Sequence, residues 1–325
     1  MGHPNLVFVA VTASLLAACT SAPHGAPPRV VKVFVLAGQS NMEGPAVADL
    51  DPDWNRAHYN DGRGTLAQLV TDAPAKYASL VDAKGGWAKR DDVFVQYRLE
   101  DGRLLAGPLG IGFSPHGPHH FGPELACGHV LGDVFAEPVL LVKTAWGGKS
   151  LFADFRPPSA GGVTGPYYRR LVEQVREACA HLAQDFPSLE GFTPEIAGLV
   201  WYQGWNDGCG PRHAVDEYTA NLAHLIRDLR AEFGTPSLPV VVGELTGPWV
   251  VADGAWADLR RAQAAAATLP EWNGTVRFVP THEFVRAPED SPHPSHGHHE
   301  FGNAETYVLV GRALGEVMAA SVAGR

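Results

Sequence analysis

Val30-Val31-Lys32-Val33-Phe34-Val35-Leu36-Ala37-Gly38-Gln39-Ser40-Asn41-Met42 is the stretch whose reading decides the fold. Val30 to Leu36 is an apolar, β-branched run of strand length, and Gly38 punctuates its end. Gln39, Ser40 and Asn41 then set a hydroxyl between two amide side chains at the carboxyl end of that strand. In open α/β sheets that edge is where ligands bind. A serine hydroxyl is a weak nucleophile and needs a base, an orienting group and donors for an oxyanion. Those parts have to come from elsewhere in the chain.

Four further strand-like runs follow, at Pro138–Thr144, Ile196–Tyr202, Val240–Leu245 and Thr275–Val279. Helical segments are expected at Gly122–Val134, Pro166–Asp185, Val215–Phe233, Trp256–Leu269 and Asn303–Ala319. In Val215–Phe233 the residues Tyr218, Leu222, Leu225, Ile226 and Leu229 fall on one helical face, and Gly234 follows as a C′ glycine. Alternating strands and helices predict a parallel sheet covered on both faces, a three-layer α/β/α sandwich. Residues 46–120 break the rhythm with Asp51-Pro52-Asp53-Trp54, Lys84-Gly85-Gly86-Trp87 and a short hairpin around Val93–Leu105. That is long for a connection, so it is read as an insertion that shapes a substrate cleft.

With 325 residues, 45% of them hydrophobic and 18% charged, the chain has the composition of a folded protein with one sizeable core, placed here over 30–325. A net charge of −10 argues against nucleic acid as a partner, because phosphate binding requires a basic surface. Val7–Ala18 is an apolar stretch of export-signal length, too short to span a bilayer. It ends in Leu16-Ala17-Ala18-Cys19, similar to the bacterial lipoprotein cleavage box. Residues 1–18 therefore read as a leader, Cys19 as a lipidated first residue and 19–29 as a tether. The protein is expected to be exported and to meet a membrane only through that anchor. Met1–Asn5 has no Lys or Arg, which keeps a plain secretory leader as the alternative. Cys127, Cys179 and Cys209 show no paired spacing and read as small buried hydrophobes with at most one disulfide.

Three more blocks fall where chemistry is expected. Lys143-Thr144-Ala145-Trp146-Gly147-Gly148-Lys149-Ser150 closes a strand, and its paired glycines allow a backbone N–H to approach a substrate oxygen. Trp201-Tyr202-Gln203-Gly204-Trp205-Asn206-Asp207 closes another. It offers an amide as oxyanion donor, aromatic faces for a sugar ring, and an Asp207 equally readable as a capping carboxylate. Asp290-Ser291-Pro292-His293-Pro294-Ser295-His296-Gly297-His298-His299-Glu300 precedes the last helix and supplies candidate bases.

These four blocks, in this order from Val33 to about Met318, resemble the SGNH-type hydrolases. The likeness is to the carbohydrate esterase group that contains sialate O-acetylesterase-like and acetylxylan esterase proteins. The resemblance implies a flavodoxin-like fold and serine-based hydrolysis of O-acetyl esters on sugars, with no cofactor. Carried over by position, Ser40 is the nucleophile, and the oxyanion donors are the N–H groups of Ser40 and Gly147 and the Gln203 amide. Trp205 stands where the group commonly has Glu, which bears on substrate preference.

The base is His299 or His293. Asp290 and His293 satisfy the family's spacing of Asp three residues before His, but His299 sits four residues before Asn303, close to the last helix as the family histidine does. Distance to the helix favours His299. The residue three before it is His296, so the orienting acid is Asp290 looping back, or is absent. A second reading, from the missing acid and Trp205, is a carbohydrate-binding surface lipoprotein with impaired catalysis. A third is a metal site built from His293, His296, His298 and His299 with His116, His119 and His120, although no H-x-x-x-H pair lies on a helix.

Overall fold

The computed structural model describes residues 1–2, 29–53, 56–245 and 251–324. The leader, Cys19 and the tether up to residue 28 lie outside the described residues. The strands are β1 (Val30–Gly38), β2 (Ala46–Val47), β3 (Arg90–Arg98), β4 (Leu104–Leu109), β5 (His120–Phe121), β6 (Val139–Ala145), β7 (Thr193–Tyr202), β8 (Val240–Gly243) and β9 (Val276–Val279). The first helices are α1 (Ser40–Glu43), α2 (Leu66–Asp72), α3 (Glu124–Val134), α4 (Pro166–Ala180) and α5 (Leu182–Asp185). The rest are α6 (Trp205–Cys209), α7 (Arg212–Asp216), α8 (Tyr218–Glu232), α9 (Ala255–Ala267) and α10 (Ala304–Ala323).

Seven strands form one sheet in the order β4-β3-β6-β1-β7-β8-β9, and β2 pairs with β5 separately. Within the large sheet every pairing is parallel except β3 with β4. The five strands expected from the sequence occupy the order β6-β1-β7-β8-β9. Counted along the chain that is 2-1-3-4-5, the flavodoxin-like arrangement, and the direction of winding reverses between β1 and β7. The hairpin expected around Val93–Leu105 extends this sheet. β3 pairs with β6 through Val93–Tyr97, and these five residues are all buried. The 46–120 segment is therefore part core as well as connection.

Apart from Lys32 near its start, the β1 run is apolar because both of its faces are covered. Val31, Val33, Val35 and Ala37 pack with Leu171 of α4, Leu222 and Leu225 of α8 and Leu259 of α9. Phe34 and Leu36 point the other way, toward Cys127 and Leu131 of α3 and Val310 and Leu314 of α10. α10 begins as its sequence suggests, with the Asn303 side chain accepting from the Thr306 N–H. It crosses α3 closely, so that a Cβ at Gly311 would lie 2.3 Å from the Pro123 carbonyl oxygen. Gly234 takes φ 64° just after α8, as a helix-ending glycine does.

Two expected helices are interrupted, Pro166–Asp185 at His181 and Val215–Phe233 at Glu217, each leaving a short helix beside a long one. The three cysteines among the described residues, Cys127, Cys179 and Cys209, are free. Only Cys127 is buried; Cys179 is half-buried and Cys209 is exposed at the end of α6, so the expectation of three buried thiols is corrected.

Candidate active site

Ser40 opens α1 directly behind β1, beside the point where the winding of the sheet reverses. Gly38 permits this, since a Cβ there would sit 2.2 Å from the Tyr202 carbonyl oxygen of β7. Met42 and Glu43 donate their N–H groups to the Gln39 carbonyl and Gly44 closes the turn at φ 99°. The Ser40 N–H lies in the first turn, where helix N–H groups have no intrahelical acceptor. Ser40 is 9% exposed, and its hydroxyl has no hydrogen-bond partner among the described residues.

Both flanking amides tie this turn to other loops. Gln39 Oε1 accepts from the backbone N–H groups of Gly204 and Asn206, each at 3.2 Å, and its Nε2 donates to Asn206 Oδ1 at 3.1 Å. Asn41 Oδ1 lies 2.8 Å from the Tyr307 hydroxyl, which is also 3.2 Å from the carbonyl oxygen of His299. Asn41 Nδ2 donates to Glu300 at 3.4 Å. The Ser40 turn is thus joined to the loop after β7 on one side and to the histidine loop on the other.

Gly147 follows β6 and faces the same turn. A Cβ on it would lie 3.8 Å from Ser40 Cβ and 3.0 Å from Glu43 Oε2. Burial raises the pKa of the Glu43 carboxyl; the Gly147 N–H, the Lys143 ammonium and the Tyr97 hydroxyl oppose that shift. Below it Lys143 is fully buried and donates to the carbonyls of Glu43 (2.8 Å) and Phe113 (2.7 Å) and to Glu124 Oε2 (2.8 Å). All three ammonium protons are therefore used, and the end of α1 is held from beneath.

Gln203 directly follows β7, and its amide nitrogen sits among three acceptors: Asp207 Oδ2 at 2.7 Å, the Lys149 carbonyl at 2.9 Å and Gln39 Oε1 at 3.2 Å. The Tyr218 hydroxyl holds its oxygen at 2.9 Å. Asp207 is 0% exposed and also accepts the Leu151 and Phe152 N–H groups, both at 2.9 Å. One carboxylate therefore clamps the loop that carries Gly147 to the side chain of Gln203. Burial pushes its pKa up to about 6, against the opposing pull of those donors.

His299 and His293 line one cavity of about 310 Å³. The His293 ring packs against His58 and Tyr59, with centroids 5.4 Å from each. His299 is the one connected to Asn41 through Tyr307. Burial, reinforced by neighbouring imidazoles, pushes the His299 pKa down to about 3 and that of His293 to about 4. No carboxylate is hydrogen-bonded to His299 among the described residues. Asp290 is not brought to it. It is exposed in a short 3₁₀ turn and lines a different cavity with Arg63, Arg286 and Glu305. The Asp290–His293 spacing is thus not a contact, because Ser291 and Pro292 carry the chain from the outer surface into the cavity. Among the described residues no three His, Cys, Asp or Glu side chains converge as metal ligands would.

The description of the carbohydrate esterases called sialic acid-specific acetylesterases matches residues 30–318. The chain belongs to this family. It is accordingly a carboxylic ester hydrolase acting on carbohydrate esters. No curated protein sequence matches it significantly. Among solved structures, the esterase is similar to a protein from Arabidopsis thaliana at 18% identity and a TM-score of 0.58, over 91% of this chain and 100% of that one. It is also similar to a carbohydrate acetylesterase from Xanthomonas citri at 19% identity and a TM-score of 0.53. That match covers 90% of this chain but 57% of the other. At such identities the likeness shows a shared fold.

Three residues of the esterase's site were not assigned from the sequence. Glu43 lies three positions after Ser40 on the same turn, a spacing that could have signalled it. Tyr307 and the clamp made by Asp207 depend on contacts between distant segments, and no local pattern announces them.

Proposed function

We propose that the esterase is a serine hydrolase that removes O-acetyl groups from carbohydrate through an acyl-enzyme. Ser40 Oγ attacks the acetyl carbonyl while a histidine, His299, takes its proton. The sugar oxygen leaves with that proton and the acetyl group remains on Ser40. Water, deprotonated by the same imidazole, then releases acetate and restores the serine. The oxyanion is received by the N–H groups of Ser40 and Gly147 and by the Gln203 amide. In the free enzyme the last two are occupied by Glu43 and by Asp207 with its neighbours, so the developing oxyanion competes for donors already held in place. With Asp290 exposed and lining a different cavity, the base works as one half of a Ser–His pair. At pH 7 the imidazole is neutral and its lone pair is free, but burial makes it a weak base, so it takes the proton only as negative charge develops beside it in the transition state.

The observation that carries this reading is the Tyr307 hydroxyl, which joins Asn41, next to Ser40, to the backbone carbonyl of His299 and so ties the loop that carries the imidazole to the serine turn. Export by the 1–18 leader and anchoring at Cys19 would place the enzyme where acetylated polysaccharide or sialic acid is met outside the cell. The reading is tested by labelling with a fluorophosphonate, which requires an activated serine. Peptide mass mapping is expected to find the adduct on Ser40, with labelling slowed at least a hundredfold in His299→Ala. An adduct on another serine, or none, overturns it.

A further inference from the structure

The cavity beside His299 is lined by an unusual density of one side-chain type. Neighbouring imidazoles run from His58 through His293, His296, His298 and His299 to His116 and His120, with successive ring centroids 4.1 to 5.7 Å apart. The volume of about 310 Å³ lies at the small end of the range for small-molecule sites, roughly 300–1,000 Å³. Asp51 is its one carboxylate, and no lysine or arginine is among its described lining residues. At its edge Trp205 lies 6.0 Å from His298 and is backed by Trp256 at 4.6 Å, which gives the mouth an aromatic flank.

We infer that this cavity is the subsite for the sugar that bears the ester, and that it selects an uncharged, hydroxyl-bearing ring over a carboxylate-bearing one. The inference rests on the proposed serine esterase reading, because His299 belongs to both. Its chemistry follows from the state of the imidazoles. Desolvation and neighbouring rings push His120 and His293 down to about 4 and His299 to about 3. At pH 7 these rings are neutral, each with one N–H donor and one lone pair. A sugar hydroxyl is likewise donor and acceptor at once, so a ring with several hydroxyls can pair with neighbouring imidazoles whichever tautomers they hold. A sugar carboxylate would leave water without meeting a lysine or arginine among the described lining residues and would face Asp51. A sialic acid carries such a carboxylate, so this subsite departs from the preference in the family's description.

The test compares two substrates on the intact enzyme at pH 7.5, an O-acetylated methyl pyranoside without charge and an O-acetylated sialic acid. The inference expects kcat/KM at least tenfold higher for the neutral sugar. In His120→Phe, which keeps the ring volume and removes both nitrogens, KM for the neutral sugar is expected to rise at least tenfold more than KM for 4-nitrophenyl acetate. Equal or better turnover of the sialic acid overturns the inference, as does an equal rise in KM for both esters. If the variant does not fold, the wild-type comparison still decides. Ser40→Ala is run alongside on 4-nitrophenyl acetate. Full activity there would refute the serine reading itself, whereas its loss together with a preference for sialic acid would refute the subsite alone.

Discussion

Replacing Asp207 by asparagine separates a positioning role from a merely structural one. The two carboxylate oxygens of Asp207 accept three N–H groups, from Leu151, Phe152 and Gln203. Asparagine has one carbonyl oxygen, and its NH₂ group then faces at least one of those donors. A buried donor without a partner costs about 1–3 kcal/mol. Where that cost falls on the placement of the Gly147 loop and Gln203, kcat drops roughly 5- to 150-fold with little change in KM. Protonating Asp207 does the same to the native enzyme, because one oxygen becomes a hydroxyl. Its pKa of about 6 therefore puts an acid limb on kcat near pH 6, which His299, neutral above about 3, does not supply. Stability moves the other way. Folding raises this pKa, so the stabilisation from the protonated form is complete below about 4 and is lost as the pH rises through 6. Between pH 7.5 and 5 the native enzyme should lose activity while this group's contribution to folding grows, which distinguishes the limb from acid unfolding. The assay is kcat against pH from 4.5 to 8.5, with thermal melting at each pH. An Asp207→Asn enzyme that keeps the native kcat, or keeps the limb near pH 6, refutes the clamp.

Three further variants probe the base, the support beneath the serine and the packing behind it. His299→Ala should lower kcat on 4-nitrophenyl acetate by ~10²–10⁴, the usual worth of a general base, while His293→Ala costs less than tenfold; the reverse order would make His293 the base. Lys143→Met leaves Glu124 buried without its cation and should destabilise the fold by about 3–5 kcal/mol in urea titrations, whereas Lys143→Met with Glu124→Leu should recover most of the loss. Gly311→Ala drives a methyl group toward the Pro123 carbonyl and should cost about 1–3 kcal/mol with a lowered Tm, since neither helix can retreat from the sheet.

The five-strand core was legible because Val30–Leu36 and most of its companions are predominantly apolar runs, the mark of a parallel strand buried between helix layers, while the edge strand β9 keeps Arg277 exposed. The edge was harder to read. Arg90 and Arg98 bracket β3 with charge, and its buried centre resembles a short hairpin arm until β6 is placed beside it. In the candidate site, the sequence singles out Ser40 by its position after a strand and Gly147 by its paired glycines, and the structure sets the two side by side. The Asp290–His293 spacing misled, because a three-residue interval fixes sequence distance and not the direction in which a Pro-containing loop turns. His299 is singled out instead by its distance from Asn303, since a helix N-terminus packed on the sheet is a fixed point. Asp207 stayed ambiguous because its partners, Leu151 and Phe152, lie more than fifty residues away.

Acetate release by the Ser40→Ala variant tests the central claim most directly. Measured on an acetylated methyl pyranoside and on 4-nitrophenyl acetate, with melting curves to show an intact fold, kcat/KM should fall by at least ~10³ on both esters. A folded Ser40→Ala enzyme that releases acetate at the native rate would contradict the account.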